Sequence, residues 1–324
     1  MLHRMRIGVV GAGGVGGLLA GLLSRAGEDV ALVARGAALE AIRARGLSVK
    51  STLGVFDTRV DAGDTTATLA PVDVALVAVK TWQVAEVAKT LGPWLRPGGF
   101  VVPLENGVDA PDECAAAVGA ERVVGGLCHM LSWIASPGMI EHVGGPPSVT
   151  LGAWHSPLGK RIEPLLGALE KAGVKTRVAE DYPAALWEKF LFIASFGGVG
   201  AVTRATAEEL RGIPETRRML AAAFAEVRCV ALARGVTLAP DVVDKTLAYV
   251  DALPAGATAS LQRDVVAGRP SEIASLSGAV VRIAGELGVP APIHGAIFAS
   301  LLPLEHAARR KAAERQRGAA ASAT

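Results

Sequence analysis

Gly11-Ala12-Gly13-Gly14-Val15-Gly16-Gly17 follows directly on the apolar run Ile7-Gly8-Val9-Val10 and directly precedes Leu18-Leu19-Ala20-Gly21-Leu22-Leu23. The order reads as a strand, a glycine turn and a helix. Gly11 permits the tight bend, Gly13 lets backbone approach a pyrophosphate with no Cβ in the way, and Gly16 lets the helix pack closely on its strand. Ala12, Gly14 and Val15 complete the loop, and the free N–H groups and positive dipole end of the helix suit a diphosphate. With 38 glycines in 324 residues, the spacing alone is weak. Its context has to decide.

Arg4 and Arg6, with His3, stand before the apolar stretch 7–23 and give it some likeness to a secretory signal or anchor. Against that, glycine crowds the first half of the stretch, and a second apolar run, Val30-Ala31-Leu32-Val33-Ala34, follows at once, as a β-α-β unit requires. At the end of this second strand, where an NAD-preferring fold places an acid for the ribose hydroxyls, stands Arg35. A guanidinium there suits a 2′-phosphate and points to NADP. Arg43 and Arg45 read as the solvated face of the next helix.

A chain of this length exceeds one usual core, so two domains are expected. The 33 basic and 31 acidic residues nearly cancel, which gives no reason to expect a nucleic-acid or membrane partner. Cys114, Cys128 and Cys229 are odd in number and widely spaced, fitting neither a disulfide framework nor a zinc site, so a reducing cytoplasm is the expected home. His129, His142, His155 and His294 lack metal-ligand spacing, and no metal is expected.

Further along, a helix over 37–45 leads to a strand pair at 47–51 and 55–60. A near-continuous apolar strand at 72–79, a helix over 82–91 and a strand at 100–104 follow; strands alternating with helices imply a parallel sheet. Strands are expected at 122–127, 139–143, 148–153 and 174–179, with a helix over 160–172. From Asp181 onward helical spacing takes over: 181–196, 206–210 with the capping pair Thr206 and Glu209, 214–234, 240–252, 258–267, 271–287, and 292 into a tail that reads as fraying beyond Arg309. The expected architecture is α/β, a Rossmann-type N-terminal domain with a mostly parallel sheet over 1–180 and an all-helical domain over 181–324.

Lys80 and Asn106 each follow a strand, on the rim where open parallel sheets bind ligands. Taken singly, an exposed loop lysine and an Asn-Gly turn explain them as well. Lys189 sits in a helix apolar on nearly every side, with Leu186 and Trp187 before it and Phe190 to Ile193 after it. A lysine held there loses solvation, which favours release of its proton; the alternative is an ammonium snorkelling to the surface beside Glu188. Ser260 opens a polar helix start, and Glu272, just past Gly268-Arg269-Pro270, reads either as a site carboxylate or as a dipole partner of the following helix.

Gly11-Ala12-Gly13-Gly14-Val15-Gly16, Val79-Lys80-Thr81-Trp82-Gln83-Val84, Glu105-Asn106-Gly107, Leu186-Trp187-Glu188-Lys189-Phe190, Ser260-Leu261-Gln262-Arg263-Asp264 with Glu272, and the run from Leu287 to Pro292 stand in one order along the chain. Together they resemble the ketopantoate reductase (2-dehydropantoate 2-reductase) family. The resemblance implies a cytoplasmic enzyme of pantothenate biosynthesis that reduces 2-dehydropantoate to pantoate with NADPH. It implies that Lys189 protonates the carbonyl oxygen, that Glu272 holds the substrate hydroxyl, that Ser260 meets the carboxylate region, and that Asn106 and Lys80 position substrate and nicotinamide. Arg35, Lys80, Asn106 and Glu272 join the glycine turn in contacting the cofactor, and a homodimer is one option for the assembly.

One departure stands out. Many members carry asparagines four and eight residues after the lysine, where this chain has Ile193 and Gly197, with Ser195 as a partial substitute. Another small 2-oxo acid is therefore an alternative substrate. A nicotinamide-binding sensor without catalysis is the alternative from another class, and the presence of Lys189 and Glu272 argues against it.

Overall fold

A computed structural model describes residues 4–321, so His3 and the last three residues of the tail lie outside it. The chain divides into two compact units, Met1–Glu105 with Asp109–Tyr182, and Asn106–Val108 with Pro183–Thr324.

The first unit begins with β1 (Arg6–Val10), α1 (Gly14–Arg25), β2 (Asp29–Val33), α2 (Gly36–Arg45), β3 (Leu47–Ser51), β4 (Gly54–Thr58) and β5 (Asp61–Gly63). It continues with β6 (Val72–Val77), α3 (Val84–Trp94), β7 (Leu95–Pro103), α4 (Ala110–Val118), β8 (Gly125–Ser136), β9 (Met139–Gly152), α5 (Glu163–Lys171) and β10 (Lys175–Ala179). β5, β2, β1, β6 and β7 form, in that order, an all-parallel sheet. From β1 successive strands are added on one side up to β5, and from β6 on the other, so the strand order switches between β1 and β6, and ligands of such sheets bind beyond the strand ends at that point.

A second, mixed sheet runs β10-β9-β3-β4, with β8 antiparallel to β9. α1 lies between the two sheets, which explains why it is apolar all round: Leu18, Leu19, Leu22 and Leu23 are fully buried. Its glycines admit the second sheet, for a Cβ on Gly17 would meet the Ile140 side chain at 2.7 Å. The apolar stretch that resembles a leader is thus a buried strand and helix.

The strands expected at 139–143 and 148–153 are one strand, β9. Opposite β8 its register jumps between His129↔Ser148 and Leu131↔Val143, so Gly144-Gly145-Pro146-Pro147 is a bulge within a ladder rather than its end.

The second unit holds most of α6 (Tyr182–Thr203), then α7 (Ala207–Gly212), α8 (Pro214–Ala233), α9 (Val242–Asp251), α10 (Ser260–Val266), α11 (Ser277–Leu287) and α12 (Pro292–Ala321). α6 is long and apolar enough to cross a membrane, but Trp187, Phe190, Leu191, Ala194 and Val199 are each buried within the protein, as in a core helix. Side chains the size of Phe190, Leu191 and Val199 each contribute roughly 1.5–3 kcal/mol on burial. The capping pair forms as expected, Thr206 Oγ1 accepting the Glu209 N–H while the Glu209 carboxylate accepts the Thr206 N–H. Three helical expectations shift: α6 runs on to Thr203 rather than ending at 196, α11 starts at Ser277 rather than 271, and α12 continues through the tail to Ala321.

Candidate active site

In the first unit the glycine turn is built as its spacing implies. Gly11 adopts φ +106°, and a Cβ there would stand 2.6 Å from the Ala78 carbonyl, at the end of β6. A Cβ on Gly16 would penetrate the Gly11 carbonyl oxygen, and one on Gly14 the Ser132 carbonyl on β8. Gly13 differs: its nearest neighbour would be the Ala78 carbonyl at 4.0 Å, so its backbone faces open space at the helix start. That is the cradle a pyrophosphate needs, and the residues present fit a dinucleotide.

Arg35 stands exposed two residues after the end of β2, in extended conformation at the N-cap of α2, with its Nε 3.5 Å from the Asp64 carbonyl. Lys80 follows β6, half-buried, its Nζ 5.8 Å from the Trp82 ring centroid. Glu105, at the end of β7, was not anticipated as a functional residue. It is buried, and its carboxylate accepts the Val79 N–H at 3.0 Å and the Leu104 N–H at 3.1 Å, tying the loop before Lys80 to the segment before Asn106. Its sequence signals are its place straight after an apolar strand and at the head of Glu105-Asn106-Gly107. Burial, helped by Glu105 and Glu113, pushes the Cys114 thiol up, so this cysteine is inert.

In the second unit, α6 carries Lys189 at a half-buried position between the buried Trp187 and Phe190. Its later turns are glycine-rich because other segments press against them. A Cβ on Gly197 would meet Leu261 and Ala259 at 3.4–3.5 Å, one on Gly198 would meet Ser277 Oγ at 3.0 Å, and one on Gly200 would meet Gln262 Oε1 at 2.7 Å. The helix that carries Lys189 thereby docks the start of α10, where Ser260 is exposed, and the start of α11. Gln262 completes the joint, donating to the Ala205 carbonyl at 3.0 Å.

Glu272 is buried, on a turn before α11 rather than in its first helical turn, and its own carbonyl accepts the N–H groups of Ser275 and Leu276 at 3.0 Å each. Asn106, half-buried, belongs to this unit. The next residue, Gly107 (φ +103°), lies so close to the turn that a Cβ would stand 3.0 Å from the Ser275 carbonyl. The structure therefore brings the Asn106-Gly107 segment to the Glu272 turn, and the Ser260 segment to the Lys189 helix.

Ser195 does not take the place of a substrate-facing amide. It is fully buried, and its Oγ lies 3.3 Å from His294 Nε2. That nitrogen also lies 3.3 Å from the Ala223 carbonyl, which can only accept, so Nε2 carries the proton and Nδ1 accepts from Ser277 Oγ at 3.2 Å. Burial pushes the His294 imidazole down to about 4. Of the other histidines, His142 is buried, whereas His129 and His155 are exposed.

A dinucleotide-type parallel sheet followed by a helical domain bearing a half-buried lysine and a buried carboxylate defines an oxidoreductase of two-domain build. The family model "Ketopantoate reductase PanE/ApbA" matches residues 7–156, and "Ketopantoate reductase PanE/ApbA C terminal" matches 181–305. The chain belongs to the ketopantoate reductase family. It is 30% identical to a 2-dehydropantoate 2-reductase of Mesorhizobium japonicum over 91% of this chain and 96% of the relative. The crystal structure of 2-dehydropantoate 2-reductase from Geobacter metallireducens superposes with a TM-score of 0.85 at 30% identity, covering 92% of this chain and 99% of that one. D-mandelate dehydrogenase in its ternary structure with NADH and anilino(oxo)acetate has the same fold, with a TM-score of 0.85 at 20% identity over 94% and 99% of the two chains.

Proposed function

We propose that the chain reduces a 2-oxo acid with NADPH, 2-dehydropantoate to pantoate being the reaction its relatives favour. Residues 1–180 would bind the dinucleotide and 181–324 the substrate, with Asn106 contributed from the first stretch. The observation that carries the reading is Lys189, half-buried as the one cation of a largely apolar helix that itself docks the Ser260 segment.

The glycine turn from Gly11 to Gly16 holds the pyrophosphate, and Arg35 pairs with the 2′-phosphate through a charge-assisted contact that NADH cannot offer. NADPH, when bound, supplies the hydride to the keto carbon. The Lys189 ammonium donates its proton to the carbonyl oxygen as negative charge develops there, which both completes the alcohol and stabilises the alkoxide. Glu272 accepts a hydrogen bond from the substrate hydroxyl, Ser260 donates to the carboxylate region, and Asn106 and Lys80 orient substrate and nicotinamide.

A second reading, reduction of a different 2-oxo acid with an alkyl side chain, is favoured by one observation. The helix face one and two turns beyond Lys189 offers Ile193 and Gly197, neither with a polar side chain, and Ser195 is committed to His294. A site without such groups loses the means to select a hydroxylated substrate. Following NADPH absorbance with a panel of 2-oxo acids separates the two: turnover of 2-dehydropantoate well above the alkyl acids supports the first, and its absence beside brisk turnover of the others ends it.

A further inference from the structure

Glu305 lies on α12, 5% exposed, and one of its carboxylate oxygens serves a single residue twice. Oε2 accepts the Ser271 backbone N–H at 2.8 Å and the Ser271 hydroxyl at 2.6 Å. The other oxygen, Oε1, stands 2.6 Å from Arg309 Nε, one helical turn on, an ion-pair contact outside hydrogen-bond alignment. Arg309 in turn donates from Nη2 to the Ser271 carbonyl at 3.4 Å. Every polar group of the fully buried Ser271 is thus held by this acid and base on α12. Ser271 is the residue immediately before Glu272, on a stretch that neither helix nor strand holds in place.

A buried carboxylate is a poor choice where stability alone is wanted, since apolar side chains of the same volume hold a core at least as well. What an ion-paired acceptor adds is direction: it fixes one residue by its backbone N–H and its hydroxyl at once. We infer that Glu305 and Arg309 together are positioning residues: Glu305 fixes Ser271 through its N–H and hydroxyl, Arg309 holds the carbonyl of the Ser271–Glu272 peptide, and the pair so aims the Glu272 carboxylate. The inference rests on the reading that Glu272 contacts substrate. Small displacements of such a group are costly, because the chemistry needs near-ideal geometry.

The test uses the full-length enzyme with NADPH and 2-dehydropantoate, or the most rapidly reduced member of the 2-oxo acid panel. Glu305→Gln keeps an acceptor but loses the charge that engages Arg309, and Ser271→Ala removes one of the two donors with little change of volume. Each is expected to lower kcat/KM by about tenfold or more at an unchanged thermal midpoint. In a Glu272→Gln background the same changes are expected to cost less than about twofold, because the group they aim is already gone. An equal loss in both backgrounds, or no loss in the native one, overturns the inference. Should Glu305→Gln fail to fold, Ser271→Ala decides alone. A Glu272→Gln enzyme as active as the parent overturns the site reading and this inference together, whereas a crippled Glu272→Gln beside silent Ser271 and Glu305 variants overturns this inference only.

Discussion

Glu105 accepts the backbone N–H of Val79 at 3.0 Å, so a buried carboxylate at the end of one strand braces the loop that leaves its neighbour. Removing the acid leaves that amide without its acceptor. Glu105→Ala is expected to lower unfolding free energy by about 1–3 kcal/mol, read from urea titration, and to weaken NADPH binding through the displaced Lys80 loop. Glu105→Gln retains an acceptor and should lie between the two. Unchanged dinucleotide affinity in the alanine variant would remove Glu105 from the site.

Arg35 stands at the strand end where a 2′-phosphate would lie. Arg35→Asp should weaken NADPH far more than NADH, by fluorescence titration with each cofactor, because only one carries the phosphate that the guanidinium pairs with. Equal losses for both would refute the NADP preference.

Lys189→Ala should lower kcat by about 10²–10⁴ while leaving NADPH affinity nearly intact, as expected for loss of a proton donor rather than of a binding group. Steady-state rates beside a binding titration check this. A variant that turns over at the parental rate would show that the proton comes from elsewhere.

His294 makes stability depend on pH, and the sign follows from its lowered value. In the folded protein the imidazole stays neutral down to about 4, whereas the unfolded chain takes up the proton near 6.5. Stability from this group is therefore complete above the unfolded value and is lost as pH falls from about 6.5 to about 4, by about 3 kcal/mol in all. Urea midpoints at neutral pH and near pH 4.5 should differ less in His294→Gln than in the parent. A parental midpoint independent of pH over that window contradicts the assignment.

The N-terminal half of the dinucleotide fold was legible because its cause is local: a glycine at positive φ must follow β1, and the apolar runs on either side can only be strand and helix. Arg35, Lys80 and Asn106 were legible for the same reason, each standing just beyond a strand. The second sheet was not, since β3 pairs β9 across some ninety residues and no short window contains that register. Gly144 to Pro147 read as a break because punctuation residues look alike in a turn and in a bulge; only the partner strand tells them apart. The Glu272 turn read as helix because its N–H groups do bond backward, but to one carbonyl before the helix begins. Glu105 and Glu305 had little or no signal, since a carboxylate's burial depends on residues far along the chain that offer it donors.

Gly197 also sets a limit on redesign. The Ala259 and Leu261 side chains already rest against this position, leaving space for about a methyl group. Reinstating a longer amide there would prise α10 away and carry Ser260 with it. Ile193 is partly open to solvent. Attempts to broaden or shift what this enzyme accepts should begin at 193 and leave 197 as it is.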